Sequence, residues 1–123
     1  MGKFNSFEEV LSWKKSREFN LKIYQVTENQ YFKKDVDLSR QMRRASLSIS
    51  SNIAEGFERN TDKEFIYFLY VAKASAGEIR SQIYLALDLN YISIEISQNL
   101  LNDITEISKL ISGFIKYLET NKK

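Results

Sequence analysis

The chain has 123 residues, and its 18 basic and 16 acidic side chains leave a net charge of only +2. This length supports one domain around one core, and the near balance of charge means that any basic surface has to come from local clustering. Histidine and cysteine are both absent, which excludes serine and cysteine triads, imidazole zinc sites, disulfides and iron–sulfur ligation. We therefore expect no cofactor, no metal site and a reducing, cytoplasmic setting.

Membrane attachment is not expected either. The N-terminus lacks a secretory pattern, and no window approaches the eighteen unbroken apolar residues of a membrane span. Met1, Gly2 and Ser6 match a myristoylation pattern. We attribute this match to chance, because nothing downstream supplies the second anchoring signal that stable attachment needs.

Four amphipathic helices are predicted, since proline is absent, glycine is rare and apolar residues recur with helical spacing. The first spans about residues 6–28 and opens with a capping-box signature at Ser6 and Glu9. Residues 29–36 read as a loop that ends at a cap supplied by Asp35 or Asp37. The second helix spans about residues 38–59.

The third predicted helix spans residues 62–89 after a second capping box at Thr61 and Glu64. A break at Asn90 and Tyr91 and a possible cap at Ser93 precede the fourth, at residues 94–119, and residues 121–123 should fray. The stripes expected to meet in the core are Phe7, Val10, Trp13, Phe19, Ile23 and Tyr24; Met42, Ala45, Ile49, Ile53 and Gly56; Phe65, Phe68, Leu69, Ala72, Ala76, Ile79 and Ile83; and Leu100, Ile104, Ile107, Ile111, Phe114 and Leu118. The sequence therefore predicts a single all-α domain, an antiparallel up-down-up-down four-helix bundle.

The third helix carries more apolar surface than one bundle core needs. The residues that fall off its main stripe are Ile66, Tyr67, Tyr70, Val71 and Tyr84. They are either edges of a wide core with solvated hydroxyls, or an interface between subunits. The sequence alone favours neither interpretation.

Basic residues cluster before and within the second helix, at Lys33, Lys34, Arg40, Arg43 and Arg44. Guanidinium groups suit bidentate contact with phosphates, so this cluster is the candidate nucleic-acid surface, with Arg59 as a further member. The alternative is that these arginines pair with Glu55, Glu58 or Glu78 and hold helices together. We weigh the two roles evenly for Arg44 and expect Arg40 and Arg43 to lie toward the surface.

Polar residues beside the second helix's core stripe need hydrogen-bond partners if they are buried. We predict a structural network across the helices that comprises Gln41, Ser48, Asn52, Glu55 and Glu78. A carboxylate pair that binds metal or performs acid–base chemistry is the less favoured interpretation, since no histidine or cofactor motif accompanies it.

Taken together, several motifs resemble the bacterial four-helix bundle proteins called 23S ribosomal RNA intervening-sequence proteins. They are QMRR at Gln41–Arg44, Ala45 with Ser48, NIAEG at Asn52–Gly56, then Phe65, Phe68, Leu69, Ala72, Ser75 and Glu78, with Trp13 and Tyr24 upstream and NYIS at Asn90–Ser93 downstream. A related protein is the accessory variability protein of diversity-generating retroelements, which works beside a reverse transcriptase. The resemblance implies a homopentameric ring that binds nucleic acid or a ribonucleoprotein, without catalysis.

The chain departs from that family pattern at two places. Tyr31–Lys34 stands where a loop proline is common, and Ala74-Ser75 replaces a usual Gly-Ser pair. Neither change removes the bundle. The first functional hypothesis is therefore a non-enzymatic oligomeric scaffold for nucleic acid, with structured RNA as the expected ligand. The alternative is an adaptor ring that binds a protein such as a reverse transcriptase.

Overall fold

Five helices and one 3-10 turn make up residues 4–120, the part of the chain that this computed structural model describes. The turn is Phe7–Glu9, and the helices are α1 (Leu11–Val26), α2 (Gln30–Lys34), α3 (Val36–Phe57), α4 (Asp62–Asp88) and α5 (Ile94–Thr120). No strand occurs within residues 4–120. The predicted fraying at residues 121–123, and Met1 and Gly2 of the myristoylation pattern, lie outside the described residues.

The first helix begins at Leu11 rather than at residue 6. Ser6 makes no capping bond with its side chain, and Val10 adopts an extended backbone that separates the short turn from α1. The Glu9 carboxylate instead accepts a hydrogen bond from the Asn5 backbone N–H at 3.1 Å. The capping-box signature therefore starts a 3-10 turn and not a continuous helix.

The segment predicted as a loop contains α2. Asn29 Oδ1 accepts hydrogen bonds from the backbone N–H groups of Tyr31 and Phe32 at 2.9 and 3.0 Å, which caps this short helix. Asp35 then caps α3, accepting from the Leu38 N–H at 3.1 Å. Asp35 is thus the cap among the two aspartates considered, and α3 begins two residues before the predicted start.

The two ends of α4 are fixed by local hydrogen bonds. Thr61 Oγ1 accepts from the Glu64 N–H at 3.1 Å, as its capping signature predicts, and its hydroxyl also donates to the Glu64 carboxylate at 3.2 Å. At the other end Asn90 has φ 63°, and the Tyr91 N–H donates to the Ala86 carbonyl at 2.9 Å. This pattern is a Schellman motif with asparagine in the left-handed position.

The start of α5 is capped as predicted, because Ser93 Oγ accepts a hydrogen bond from the Ile96 N–H at 3.1 Å.

The four long helices pack around one core, with α1 against α3, α3 against α4, α4 against α5 and α5 against α1. Each contact joins antiparallel helices. Lys22 of α1, for example, bonds Asp103 of α5 at 2.6 Å, while the start of α1 lies beside Phe114 near the end of α5. The arrangement is that of an up-down-up-down bundle.

Most of the predicted stripes are buried in the shared core. Phe7, Trp13, Phe68 and Phe114 are only partly buried, and Tyr24, assigned to the core from its spacing, is 37% exposed. On α1 the small side chains of Ser12 and Ser16 are buried instead, because they lie on the face of α1 that packs against the other helices.

Gly56 allows α3 and α4 to approach closely. A Cβ atom at this position would lie 2.8 Å from both Phe68 Cβ and Phe65 Cδ1 of α4. Phe65 belongs to an aromatic group with Phe57 and Phe114, at ring-centroid distances of 5.9 and 5.2 Å. The glycine therefore makes room for aromatic packing at this end of the bundle.

Candidate nucleic-acid interface

A groove of about 480 Å³ runs between α1 and α3. Its lining residues are Tyr24, Val36, Ser39, Arg40, Arg43, Arg44 and Leu47. The lining contains three arginines and no carboxylate. A neighbouring depression along α1 is charge-balanced, with Glu8 and Glu18 beside Lys14 and Arg17. The α1–α3 groove is therefore a local concentration of positive charge on a chain of almost neutral net charge.

Arg43 is fixed in the wall of this groove. Its Nε donates to Thr27 Oγ1 at 2.8 Å, and its Nη2 donates to Glu28 Oε2 at 2.9 Å and to the Tyr24 carbonyl at 3.3 Å. The guanidinium also lies 4.4 Å from the centroid of the Tyr24 ring. With its side chain only 27% exposed, Arg43 is more enclosed than expected and pairs with Glu28 rather than with Glu55, Glu58 or Glu78.

Glu28 responds electrostatically to this arginine. The hydrogen bond from Arg43, and then its charge together with that of Lys33, lower the pKa of the Glu28 carboxyl below its ordinary value. Lys33 Nζ lies 4.0 Å from Glu28. Glu28 therefore stays ionised at neutral pH and offsets part of the charge of Arg43.

Arg40 and Arg44 keep their charge available to solvent. Both are exposed, and neither makes an ion pair with a described residue. Arg44 donates to the neutral amide oxygen of Gln41, one turn away on the same helix. Lys34, at the end of α2, is likewise exposed and has no carboxylate partner among residues 4–120. These cations remain free to meet an external anion.

Arg59 lies apart from the groove, beyond the C-terminus of α3. Its Nη2 donates to Glu55 Oε2 at 2.8 Å, and its guanidinium lies 4.8 Å from the Phe68 ring centroid. Both contacts are local to the α3–α4 end. Of the predicted cationic surface, the structure thus brings together Arg40, Arg43 and Arg44, while Arg59 stands separately.

The predicted polar network is smaller than expected. Asn52 Nδ2 donates to the Ser48 carbonyl and hydroxyl at 2.7 and 3.0 Å, and Ser75 of α4 donates to Ser48 Oγ at 2.8 Å. Gln41, Glu55 and Glu78 lie outside this group. They are exposed and bond Arg44, Arg59 and Gln82, each on the same or an adjoining turn, because they project from the α3 and α4 surfaces rather than into the seam.

The aromatic residues predicted as a subunit interface form an exposed strip along α4. Tyr67, Tyr70 and Tyr84 are 63, 50 and 47% exposed, whereas Ile66 and Val71 are partly buried at its edges. Gly77 lies between the tyrosines, and a Cβ atom added there would meet no atom within 4 Å. Unlike at Gly56, no neighbouring side chain or helix of the described chain requires a glycine at this mid-helix position.

The sequence did not indicate Tyr24, Val36 and Leu47 as site residues. Their positions along α1 and α3 follow helical spacing, and for Tyr24 that spacing was compatible with the core stripe. For Tyr24 the sequence does hold one signal that could have indicated the site. Glu28 follows it four residues later, so the aromatic ring and the carboxylate lie on one face of the helix, opposite Arg43.

Within residues 4–120, no group of three or more acidic, cysteine or histidine side chains is placed to hold a metal ion. No described helix is both long and apolar enough to cross a bilayer.

The sequence profile of the 23S rRNA-intervening sequence protein family matches residues 8–113. The chain belongs to this family. A solved structure from Bacteroides thetaiotaomicron VPI-5482, a protein of unknown function from the S23 ribosomal protein family, is similar to it with a TM-score of 0.80 and 32% sequence identity. The match covers 86% of this chain and 99% of that one. No curated protein matches the chain significantly. This match confirms the resemblance that the QMRR and NIAEG motifs indicated. The two arginines of QMRR, Arg43 and Arg44, line the α1–α3 groove.

Proposed function

We propose that this protein is a non-enzymatic, homo-oligomeric scaffold that binds nucleic acid, with structured RNA as its ligand, through the α1–α3 groove. The observation that carries the proposal is the groove lining, in which Arg40 and Arg44 are exposed and lack carboxylate partners. Exposed, unpaired arginines can exchange their counterions for phosphates at little cost, whereas a paired arginine first has to lose its partner. The name of the matching family is consistent with an RNA context.

The groove residues divide into two roles under this proposal. Arg40 and Arg44 contact phosphates, and Lys33 and Lys34 extend the positive field at the end of α2. Arg43 contributes shape more than charge, because Glu28 already occupies part of its donor fork. Arg59, which lies apart from the groove and pairs with Glu55, is a secondary contact outside it.

Self-association would multiply this modest surface. The exposed tyrosines of α4 and the open space at Gly77 suit a partner helix at close range. Glycine in a helix interior costs about 1 kcal/mol relative to alanine, and Gly77, unlike the equally open Gly113, lies among exposed tyrosines that a partner helix can contact. We propose that α4 forms the interface of a homo-oligomer, a pentamer by resemblance, and that several grooves then engage one RNA with a raised effective concentration.

The binding proposal is tested by titrating a fluorescent structured RNA with the full chain at about 50 and 200 mM salt. Each phosphate contact contributes roughly 0.7 (single strand) to 0.9 (duplex) to the slope of log affinity against log salt. The double variant Arg40→Ala, Arg44→Ala should therefore lose roughly 1.4–1.8 units of slope for every groove engaged. Lys14→Ala with Arg17→Ala, a pair from the charge-balanced depression, serves as the matched control and should leave the slope near that of the parent. Absence of binding at low salt, or equal losses in both doubles, would refute the proposal.

The assembly is tested separately by light scattering. Gly77→Leu should shift the mass of the purified chain from an oligomer to a protomer of 14.4 kDa. Gly113→Leu is the control, since this second mid-helix glycine also has open space around it but lies on α5. A parent chain that already runs as a protomer would contradict the proposed assembly, as would an unchanged mass for Gly77→Leu.

The alternative, an adaptor that binds a protein such as a reverse transcriptase, draws support from a second apolar surface. Ile94, Ile96 and Leu89, around the α4–α5 turn, are 77, 41 and 43% exposed. Binding of a purified reverse transcriptase that is lost in Ile94→Glu but retained in the arginine double variant would favour this alternative. Loss of that binding in the arginine variant would tie the partner to the groove instead.

A further inference from the structure

The α1–α3 groove offers exposed apolar surface as well as free arginines. Tyr24, Leu47 and Val36 are 37, 40 and 52% exposed, and all three line the groove beside Arg40 and Arg44. A double helix presents phosphates and sugars on its outside and keeps its bases stacked within, so it gives this apolar surface nothing to cover. An unpaired nucleotide presents both a phosphate and a free aromatic face.

The Tyr24 ring is held in place before any ligand arrives. The Arg43 guanidinium lies 4.4 Å from the ring centroid and is itself fixed by Thr27, Glu28 and the Tyr24 carbonyl. A ring immobilised in this way loses little conformational freedom on binding, which favours affinity. Because Arg43 occupies one side of the ring, an incoming base has to use the remaining exposed surface.

The groove also has the size for a nucleotide. Its volume of about 480 Å³ falls within the range of roughly 300–1,000 Å³ that is usual for small-ligand sites. Arg40 and Arg44 are four residues apart on α3 and therefore point from neighbouring turns of one face. They can contact the backbone of a strand while its base lies against Tyr24.

We infer that the groove selects unpaired nucleotides: Tyr24 stacks on a base, Arg40 and Arg44 hold the flanking phosphates, and Arg43 positions the Tyr24 ring. This inference rests on the proposed function and names its ligand class, the single-stranded loops or ends of an RNA. Aromatic stacking beside a cationic groove is the means by which single strands are held with little sequence preference.

The test compares a fluorescent unstructured 12-nucleotide RNA with a duplex of the same length, at one fixed salt concentration, by anisotropy of the full chain. The single strand should bind on the order of tenfold more tightly, because stacking of one base on an aromatic side chain contributes roughly 5- to 150-fold. Tyr24→Leu should remove that preference, so that the strand binds no more tightly than the duplex. Tyr24→Phe, which keeps the ring, should retain it.

Tyr31→Leu is the matched control, since Tyr31 is another exposed tyrosine, at 49%, that lies outside the groove. A base analogue provides a second measurement: 2-aminopurine in the single strand should change its emission on binding to the parent and to Tyr24→Phe, but not to Tyr24→Leu. Equal binding of strand and duplex that is insensitive to Tyr24→Leu would overturn this inference and leave the proposed function standing. Failure of both RNAs to bind at low salt would overturn the proposed function itself.

Discussion

Replacing Gly56 with alanine should destabilise the bundle, although alanine is the better helix former. The added methyl would lie 2.8 Å from Phe68 Cβ, an atom fixed to the α4 backbone, and 2.8 Å from the Phe65 ring. Phe65 is 5% exposed and packs on two other rings, so it has little room to rotate. Crowding of this kind costs about 1–3 kcal/mol, against a gain of about 1 kcal/mol from helix propensity, which leaves a net loss of up to about 2 kcal/mol.

Gly113→Ala provides the matched control for this prediction. Gly113 is also inside a helix, but an added Cβ there meets nothing within 4 Å. This variant should gain about 0.4–1 kcal/mol. The two substitutions make the same chemical change and differ in sign only through the α3–α4 contact.

Urea unfolding followed by circular dichroism measures both variants. At a slope of about 2 kcal/mol per molar urea, Gly56→Ala should lower the midpoint by up to roughly 1 M, with the slope unchanged. The parent and variants have to be compared at one protein concentration, because self-association adds to apparent stability. If Gly56→Ala raised the midpoint as Gly113→Ala does, the close approach of α3 and α4 at this site would be refuted.

Three further predictions concern local features. Thr61→Ala removes the cap of α4 and should cost about 1 kcal/mol in a thermal melt, and Thr61→Ser should restore most of it; equal melts for the alanine and serine variants would argue against the cap. Asn90→Ala should cost on the order of 1 kcal/mol because Asn90 adopts a positive φ, whereas Asn90→Gly should be neutral or stabilising; the reverse order would contradict the left-handed assignment. The lowered pKa of Glu28 means that its pair with Arg43 stabilises the fold above the ordinary carboxyl pKa, and that this contribution is lost as the pH falls through the lowered value. The stability gap between the parent and Glu28→Gln should therefore narrow between neutral pH and about pH 3, and a gap that stays constant over that range would disprove the linkage.

The long helices could be read from the sequence because their signals agree with one another. On α4 the capping box at Thr61 and the apolar stripe from Phe65 to Ile83 indicate the same start and the same buried face, and the structure has both. Helix α2 could not be read, since five residues carry too short a period to detect. It depends on Asn29, whose side chain caps it and also donates to the Tyr91 carbonyl at 2.9 Å, a contact 62 residues away in the chain.

The groove was predicted in part for a similar reason. Clustering along α3 is visible in the sequence, so Arg40, Arg43 and Arg44 could be named. Which of these arginines is paired within the protein depends on α1, because Thr27 and Glu28, just after its C-terminus, reach Arg43 only once α1 and α3 pack together. Sequence spacing within one helix cannot report a partner on another, which is why neither the enclosed state of Arg43 nor the position of Tyr24 in the groove was predicted.

The hydrogen bonds around Asp35 have a consequence for how the domain unfolds. Asp35 caps α3 with one oxygen and accepts from the Tyr91 hydroxyl at 2.9 Å with the other, while Asn29 binds the same tyrosine's carbonyl. These bonds tie the connection between α1 and α3 to the turn between α4 and α5. Separating the α1–α3 hairpin from the α4–α5 hairpin would break these hydrogen bonds. The two hairpins should therefore unfold in one cooperative step. The α3–α4 loop at the opposite end is exposed, and its side-chain hydrogen bonds within residues 4–120 are local to α3 and α4, so an inserted peptide or a tag should be tolerated there.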